Sequence, residues 1–256
     1  MGSICFETSY FKEVEKAKKE RWPILIPIGT IEYHSTTCPY GTDALIAKGM
    51  IDEVAKRMDC VVMPTVWYGV SSYAVAGPEK NSIHVDCDTF EQYIYSILKS
   101  LLYAGFNRNI YLIIAHQTED FNPMELACKK AARKLIFDYL DDTKGYGWWG
   151  KNENKEFYQS ISAEDNPWNW IQVMTNRGLV PNTIEKWGCK NDHAGRSECS
   201  SMEFLYPNSI KIDRLKDTDD WFAQDAINMD VEMGKDRITE FAENFVKLAK
   251  KQKGID

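Results

Sequence analysis

The sequence has few histidines, no paired cysteines and no long apolar run. Its seven cysteines are scattered and odd in number, and none stands in a Cys-x-x-Cys pair, which argues against a disulfide framework or a structural zinc knuckle. No apolar run reaches the roughly 18 residues that a membrane span requires, and the first residues lack the basic and apolar regions of a signal peptide. These absences predict no membrane partner and a cytoplasmic location.

Clustered positive charge is also missing. The formal net charge is −7, and the one lysine-rich run, residues 247–253, closes a predicted helix, where cations complement the helix dipole. Nucleic acids are therefore not expected as partners, because they bind surfaces on which Lys and Arg cluster. The chain also lacks a Gly-x-Ser-x-Gly turn, so a serine hydrolase has little support.

The composition and the pattern of apolar residues predict an α/β fold. Hydrophobic residues make up 44% and charged residues 27% of the 256 residues, as in an ordinary globular domain. Buried strands are predicted at residues 24–28, 60–66 and 109–115, with a strand or turn at 171–175, and covering helices at 10–21, 44–58, 89–103, 123–140, 202–205, 221–229 and 231–251. Their alternation predicts a single domain, residues 1–256, with a mainly parallel sheet flanked by helices.

One stretch departs from this alternation. Residues around 141–170 are polar and rich in aromatic side chains, with Gly and Asn breaking any helical or strand period. We predict an irregular, aromatic-rich insertion there, serving as a lid or as an oligomer contact, because loops of this length are usually functional.

The loop after the first of these strands carries Glu32, His34 and Asp43. Carboxylate oxygens and imidazole nitrogens are good ligands for divalent first-row metals, and their spacing in this loop indicates a metal site. A second interpretation is that Asp43 caps the following helix while Glu32 and His34 are solvated. The loop alone leaves both interpretations open.

The other histidines favour the metal site. The chain has four histidines, and three of them lie beside carboxylates at predicted strand-to-helix junctions. Glu32, His34, Asp43, His116 and Glu198 together can hold two metal ions if one carboxylate bridges them. The fourth histidine, His84, is predicted to be a packing or loop residue, and Cys38 and Cys199 are predicted to be small buried residues.

The motifs resemble those of the creatininase (creatinine amidohydrolase) family. The pieces are Gly29-Thr30-Ile31-Glu32-Tyr33-His34, then Gly41-Thr42-Asp43, a strand ending in Ala115-His116, and finally His193-Ala194-Gly195-Arg196-Ser197-Glu198. Gly105-Phe106 before the central strand and the loop at Gly77-Pro78 fit the same pattern. Order and spacing match over nearly the whole chain, and the set is specific.

The resemblance implies a hydrolase with a dinuclear metal site. Two divalent ions, zinc or manganese with iron as an alternative, would be held by Glu32, His34, Asp43, His116 and Glu198, with Asp43 as the bridge. His193 would lie near the substrate and donate a proton to the departing nitrogen, and Asp192 would orient His193. The implied reaction is hydrolysis of a cyclic or linear amide C–N bond by a metal-activated water, for which we expect a small, polar and cyclic substrate. The implied assembly is a homo-oligomer, often a hexamer.

Several residues depart from the family pattern. Ser35 stands where glycine is usual, and Gln117-Thr118-Glu119 replaces Gly-Gly-Asn after His116. Thr118 stands where creatinine-hydrolysing members have a liganding glutamate, and Arg196 brings a cation that we expect to bind an anionic substrate or to pair with Glu119. Creatinine is therefore not the expected substrate. The alternatives are hydrolysis of a cyclic ketone or lactone-like sugar derivative, and a metal-binding protein that has lost turnover.

Overall fold

The computed structural model describes residues 2–106, 108–116, 123–188 and 192–253. The strands are β1 (Ile4–Cys5), β2 (Ile24–Ile28), β3 (Val61–Val62), β4 (Ile110–Ile114) and β5 (Ile171–Thr175). The helices are α1 (Phe11–Lys19), α2 (Thr42–Ala55), α3 (Cys87–Tyr103), α4 (Pro123–Lys144), α5 (Lys155–Ser160), α6 (Pro181–Trp187), α7 (Arg196–Leu205) and α8 (Val231–Gln252). None of the helices in these ranges is long and apolar enough to span a membrane.

Within the described ranges the sheet has five parallel strands in the order β1-β3-β2-β4-β5. The central pair is β2 and β4, which align from Ile24 with Ile110 to Ile28 with Ile114. All five residues of each strand are buried, as expected for parallel strands that are covered on both faces. The predicted single domain with a parallel sheet flanked by helices is confirmed.

The two faces of the sheet support separate apolar cores because side chains alternate along each strand. From β2, Ile26 and Ile28 enter the core that contains α3 and α4, and Leu25 enters the core that contains α2, α7 and α8. In β4, Leu112 and Tyr111 divide between the two cores in the same way. The result is three layers, helix–sheet–helix, with the strand ends left to carry the functional loops.

The structure differs from the sequence-based prediction in several elements. The predicted strand at residues 60–66 is reduced to Val61–Val62. The N–H of Met63 still donates to Leu25, but the next donor to β2 is Val66, so one extra residue at Pro64 and Thr65 interrupts the ladder, and pairing resumes only as a bridge between Val66 and Ile28. The short strand β1 and the helix α6 were not predicted. The stretch around 141–170 contains the end of α4, the helix α5 and 3₁₀ turns at Asn152–Asn154 and Pro167–Asn169. The predicted helix at 221–229 is the 3₁₀ helix Trp221–Asn228.

Candidate metal centre

The candidate site lies at the carboxyl ends of β2 and β4. The chain leaves β2 through α2 to β3 on one side, and it leaves β4 through α4 to β5 on the other side. Such a reversal between adjacent parallel strands opens a crevice at their carboxyl ends, which is where α/β proteins bind ligands. Glu32 and His34 follow β2, Asp43 lies in the first turn of α2, and His116 follows β4. All four side chains are buried.

The placement of Asp43 depends on Gly29. A Cβ atom built on Gly29 would lie 2.3 Å from the backbone nitrogen of Ala44, so only glycine allows α2 to start this close to the end of β2. Asp43 stands one residue inside the helix, and the N-cap position belongs to Gly41, without a side-chain cap. The Asp43 carboxylate is therefore directed at the histidines rather than used as the helix cap.

Two histidines are oriented by backbone carbonyl groups. The Nδ1 atom of His34 lies 3.0 Å from the carbonyl oxygen of Glu32, and the Nε2 atom of His116 lies 3.1 Å from the carbonyl oxygen of Val70. A carbonyl oxygen only accepts, so each of these ring nitrogens carries the proton. The opposite nitrogen of each ring, His34 Nε2 and His116 Nδ1, then faces the carboxylates. A histidine that binds a metal is held by a second hydrogen bond of this kind.

His193 is held in the same way. Its Nε2 atom donates to the carbonyl oxygen of Tyr33 at 2.7 Å, and its Nδ1 atom lies 3.6 Å from Oε1 of Glu32. The ring stacks on His34, with centroids 4.3 Å apart, and meets the ring of Phe222 edge-on at 5.3 Å. His193 therefore lies beside the cluster with one nitrogen directed into it.

The carboxylates of Asp43, Glu32 and Glu198 lie close to the ring nitrogens of His34 and His116, and Asp43 contacts both rings. Its Oδ1 atom is 3.4 Å from His34 Nε2, and its Oδ2 atom is 3.0 Å from His116 Nδ1. Glu32 Oε1 is 3.3 Å from the same His116 atom, and Glu198 Oε2 is 3.5 Å from His34 Nε2. Among the described residues, His34 Nε2 is buried and has no hydrogen-bond partner.

The structure thus brings together all five residues that were predicted as metal ligands. Their potential ligand atoms form groups that lie within 4.8 Å of one another: Glu32, Asp43 and His116; His34, Asp43 and Glu198; and Glu32, His34 and His193. The first two groups share Asp43. An orphaned imidazole nitrogen among carboxylates, with nitrogen and oxygen donors only, fits a divalent first-row metal ion.

The carboxylates change the protonation of the two inner histidines. Burial opposes the charged ring of His116, but the carboxylates of Asp43 and Glu32 outweigh it and raise its pKa to about 10. For His34 burial is likewise outweighed by Asp43 and Glu198, which raise its pKa well above its ordinary value. The two histidines in turn hold the pKa of Asp43 below its usual range, against the effect of its burial. Without metal, protons occupy the positions that face the carboxylates.

His193 and Glu198 shift towards their neutral forms. Burial, with the neighbouring His34, lowers the pKa of His193 to about 4, so its ring is uncharged at neutral pH. Burial raises the pKa of Glu198 to about 8, and the carboxylates of Asp43 and Asp192 add to this effect. His193 is therefore neutral at neutral pH, and its unprotonated Nδ1 is the nitrogen that faces Glu32.

Asp192 lies at the start of α7. Its carboxylate accepts the backbone N–H groups of Ser197 and, at 3.3 Å, of Glu198. Glu198 Oε2 accepts the N–H of Ala194 at 2.8 Å. These contacts satisfy free donors in the first turn of the helix and fix the position of Glu198. The predicted role of Asp192 in orienting His193 stays a prediction.

Arg196 opens the same helix. Its guanidinium lies 5.5 Å from the centre of the Trp187 ring, a cation–π contact. Its Nε atom is buried and has no hydrogen-bond partner in the described part of the chain. Glu119, the predicted partner of Arg196, and the departure at Gln117 and Thr118 lie outside the described residues.

The structure adds a group of residues that was not predicted. The carboxylate of Asp220 accepts hydrogen bonds from Tyr33 at 2.7 Å and from Ser35 at 2.9 Å, and Phe222 then contacts His193. Ser35 has a φ of 58°, in the left-handed region that favours glycine, and its hydroxyl is held by Asp220. Residues 218–222 carry no motif, so nothing in the sequence signalled this group.

These features define an α/β protein with a buried imidazole–carboxylate cluster at a strand switch point, suited to divalent metal ions. The chain belongs to the creatininase family: the family model for creatinine amidohydrolase matches residues 7–249. Members of this family are hydrolases, and the resemblance inferred from the motifs is confirmed.

Two relatives of known sequence are named as hydrolases of different substrates. The chain is 28% identical over 109 residues to 3-dehydro-scyllo-inosose hydrolase of Thermotoga maritima, a match that spans 43% of this chain and 35% of that protein. It is 24% identical over 199 residues to creatinine amidohydrolase of Pseudomonas putida, spanning 76% of this chain and 68% of that protein.

Solved structures share the fold. A crystal structure of creatininase matches with a TM-score of 0.74 at 17% identity, covering 97% of both chains. Similar matches include a creatininase described as its Mn form and a variant described as Zn–Zn type, each with a TM-score of 0.72 and 18% identity.

Proposed function

We propose that the protein is a metal-dependent hydrolase that holds two divalent ions, zinc or manganese, with iron as a further possibility. Glu32, Asp43 and His116 would hold one ion, and His34, Asp43 and Glu198 the other, with Asp43 as the bridge. The single observation that supports this proposal is the orientation of the Asp43 carboxylate. Its two oxygens face different histidines, His34 at 3.4 Å and His116 at 3.0 Å. Forms of solved creatininases described with Mn and with Zn support the choice of metals.

The chemistry of a bound pair of ions suits hydrolysis. Two ions in one site activate a water molecule and stabilise negative charge on an attacked carbonyl oxygen. The chain supplies the proton transfers: uncharged His193 accepts a proton at Nδ1 from the attacking water and then donates it to the leaving atom. The Tyr33 carbonyl holds the opposite nitrogen of His193, so the ring keeps its orientation through both transfers.

The proposed substrate is a small, polar, cyclic molecule with an amide C–N bond. The relative named creatinine amidohydrolase supports this class, because it matches over most of both chains. A second candidate is a cyclic ketone or lactone-like sugar derivative, supported by the relative named as an inosose hydrolase. Both substrates present a carbonyl carbon to the same water, so the two reactions require the same metal centre and differ in the bond that breaks.

A substrate panel tests the proposal. Creatinine, formylated amines, cyclic ureides and inosose-like ketones are incubated with protein loaded with Mn or Zn, and products are followed by mass spectrometry. We expect turnover of a cyclic amide, with creatinine itself a poor substrate, and loss of turnover in His193→Ala. Turnover of the ketones alone would replace the amide reaction by the second candidate.

A loaded but inactive protein is the third alternative. If the protein holds its metals and turns over no member of the panel, the result favours a family member that binds metal without turnover. A protein that takes up less than about one ion per chain would rule out the dinuclear centre. The proposal includes a homo-oligomer, a hexamer by resemblance, which light scattering coupled to gel filtration measures directly.

A further inference from the structure

Two cysteines meet beneath the candidate metal centre. The Sγ atoms of Cys38 and Cys199 lie 3.2 Å apart, although 161 positions separate them along the chain. Cys199 is fully buried and Cys38 is 8% exposed. Cys38 belongs to the loop between His34 and Asp43, and Cys199 directly follows Glu198. The pair therefore joins two of the three segments that supply the candidate ligands, the third being the end of β4 with His116.

Backbone hydrogen bonds fix the positions of both cysteines. The N–H of Cys38 donates to the carbonyl of His34 at 3.3 Å, and the N–H of Cys199 donates to the carbonyl of Gly195 at 3.0 Å. The thiol of Cys199 also lies 3.5 Å from the carbonyl oxygen of Ala194. Because a disulfide has a sulfur–sulfur distance of about 2.05 Å, closing this pair needs a combined movement of only about 1.2 Å. No second sulfur–sulfur contact of this kind joins the cysteines in the described ranges.

We propose that Cys38 and Cys199 are a site of reversible oxidation, at which a disulfide clamps the ligand-bearing loop to α7. The oxidant is a small peroxide, and Cys38 reacts first because it retains some exposure. Its sulfur attacks one peroxide oxygen, the O–O bond breaks, and the departing hydroxide takes the thiol proton to become water. The sulfur of Cys199 then displaces the hydroxyl group from the Cys38 sulfenic acid, which leaves as a second water. Two thiols lose two electrons and two protons, and one hydrogen peroxide becomes two waters.

The disulfide would restrain the unfolded chain more than the folded one. A bond between residues 38 and 199 closes a loop of most of the chain, and the loss of freedom in the unfolded state grows with loop length. We expect the oxidised protein to unfold at a temperature higher by about 5 °C or more. The expectation does not rest on the proposed function, and the chelator EDTA removes any contribution from bound metal.

Peptide mapping tests the bond directly. Trypsin releases residues 22–48, in which Cys38 is the only cysteine, and residues 197–211, in which Cys199 is the only cysteine. After treatment with hydrogen peroxide, with EDTA present and free thiols then alkylated, we expect the two peptides to be linked and a dithiol reductant to separate them. Oxidation of the other cysteines without this link, or linkage of either peptide to a different cysteine, would overturn the proposal.

Cysteine variants distinguish a disulfide between Cys38 and Cys199 from oxidation of the other cysteines. Cys38→Ser and Cys199→Ser should each abolish both the linked peptide and the rise in unfolding temperature, and Cys38→Ala serves if the serine variant does not fold. Cys5→Ser is the matched control, because Cys5 is exposed and belongs to β1 at the edge of the sheet. A linked peptide that leaves the unfolding temperature unchanged would show that the bond forms without clamping the two segments.

Discussion

The hydroxyl of Ser35 donates a hydrogen bond to the carboxylate of Asp220 at 2.9 Å, which ties the ligand-bearing loop to a segment 185 residues later in the chain. Tyr33 donates to the same carboxylate oxygen. Two residues further on, Phe222 packs against His193. A late segment without any motif therefore forms part of the wall around the candidate centre.

Replacing Asp220 with alanine should destabilise the protein by about 1–2 kcal/mol, because two hydrogen bonds to a charged group are lost. Denaturant unfolding at equilibrium measures the change. Asp219→Ala is the matched control, since Asp219 is exposed, and it should stay within about 0.5 kcal/mol of the parent. Equal effects in the two variants would mean that the tie to the loop contributes no stability.

Asp43→Ala should remove both metal ions, because each proposed ligand group contains Asp43. Glu198→Gln should instead leave about one ion per chain, since only one group contains Glu198. Elemental analysis of protein purified without chelator provides the counts. Asp52→Asn is the control on the same helix, where Asp52 pairs with Lys48 at the surface. Full metal content in Asp43→Ala would show that Asp43 is not the bridge.

Metal uptake at neutral pH should release protons. The pKa of His116 is raised to about 10 and that of His34 is also raised, so a binding ion must displace protons from both rings. The apparent affinity for Zn or Mn should therefore increase as the pH rises from 6.5 towards 10. Titration calorimetry in buffers with different ionisation enthalpies measures the protons released, and a heat that is independent of the buffer would contradict this assignment.

The metal-free protein should lose stability as the pH rises from 7 to 9. The folded-state pKa is about 10 for His116, against an ordinary pKa of 6.5, and about 8 for Glu198, against an ordinary pKa of 4.5. The folded chain thus binds more protons than the unfolded chain in this range, and stability falls with rising pH. His193 acts in the opposite sense only between about pH 4 and 6.5. Thermal unfolding in EDTA at both pH values checks the sign, and Glu198→Gln should show a smaller loss.

Gly29→Ala should disturb both stability and metal binding. Its Cβ would lie 2.3 Å from the backbone of Ala44, so α2 would have to shift and carry Asp43 with it. We expect a loss of about 3 kcal/mol together with reduced metal content. At Gly178 a Cβ meets nothing within 4 Å, so Gly178→Ala should change neither quantity. Unfolding curves and elemental analysis of the two variants give the comparison.

The sequence predicts most of the central architecture because its signals are local. The apolar runs at 24–28 and 109–115 are typical of buried parallel strands, and the polar residues that follow them lie where parallel strands place their ligands. The prediction was wrong for the extent of the third strand, where one extra residue at Pro64 and Thr65 interrupts the pairing, and it omitted β1, whose two residues carry no pattern.

Contacts between distant segments could not be predicted. Nothing near Ser35 in the sequence indicates Asp220, and nothing near Cys38 indicates Cys199, because both pairs are created by the packing of the C-terminal elements on the loop after β2. The orientation of the histidines was likewise outside the reach of the sequence, since the carbonyl groups that hold them belong to the backbone and have no residue-specific signature.

The hydrogen bonds from the histidines to main-chain carbonyl groups have a consequence for how such a centre can evolve. His34, His116 and His193 each donate one N–H to a main-chain carbonyl, so no single side-chain replacement removes the acceptor that aligns them. Side chains around the crevice can then be exchanged, and the accepted molecule altered, while the alignment of the imidazoles is inherited with the path of the chain. A scaffold built in this way separates the chemistry it performs from the compound on which it performs it.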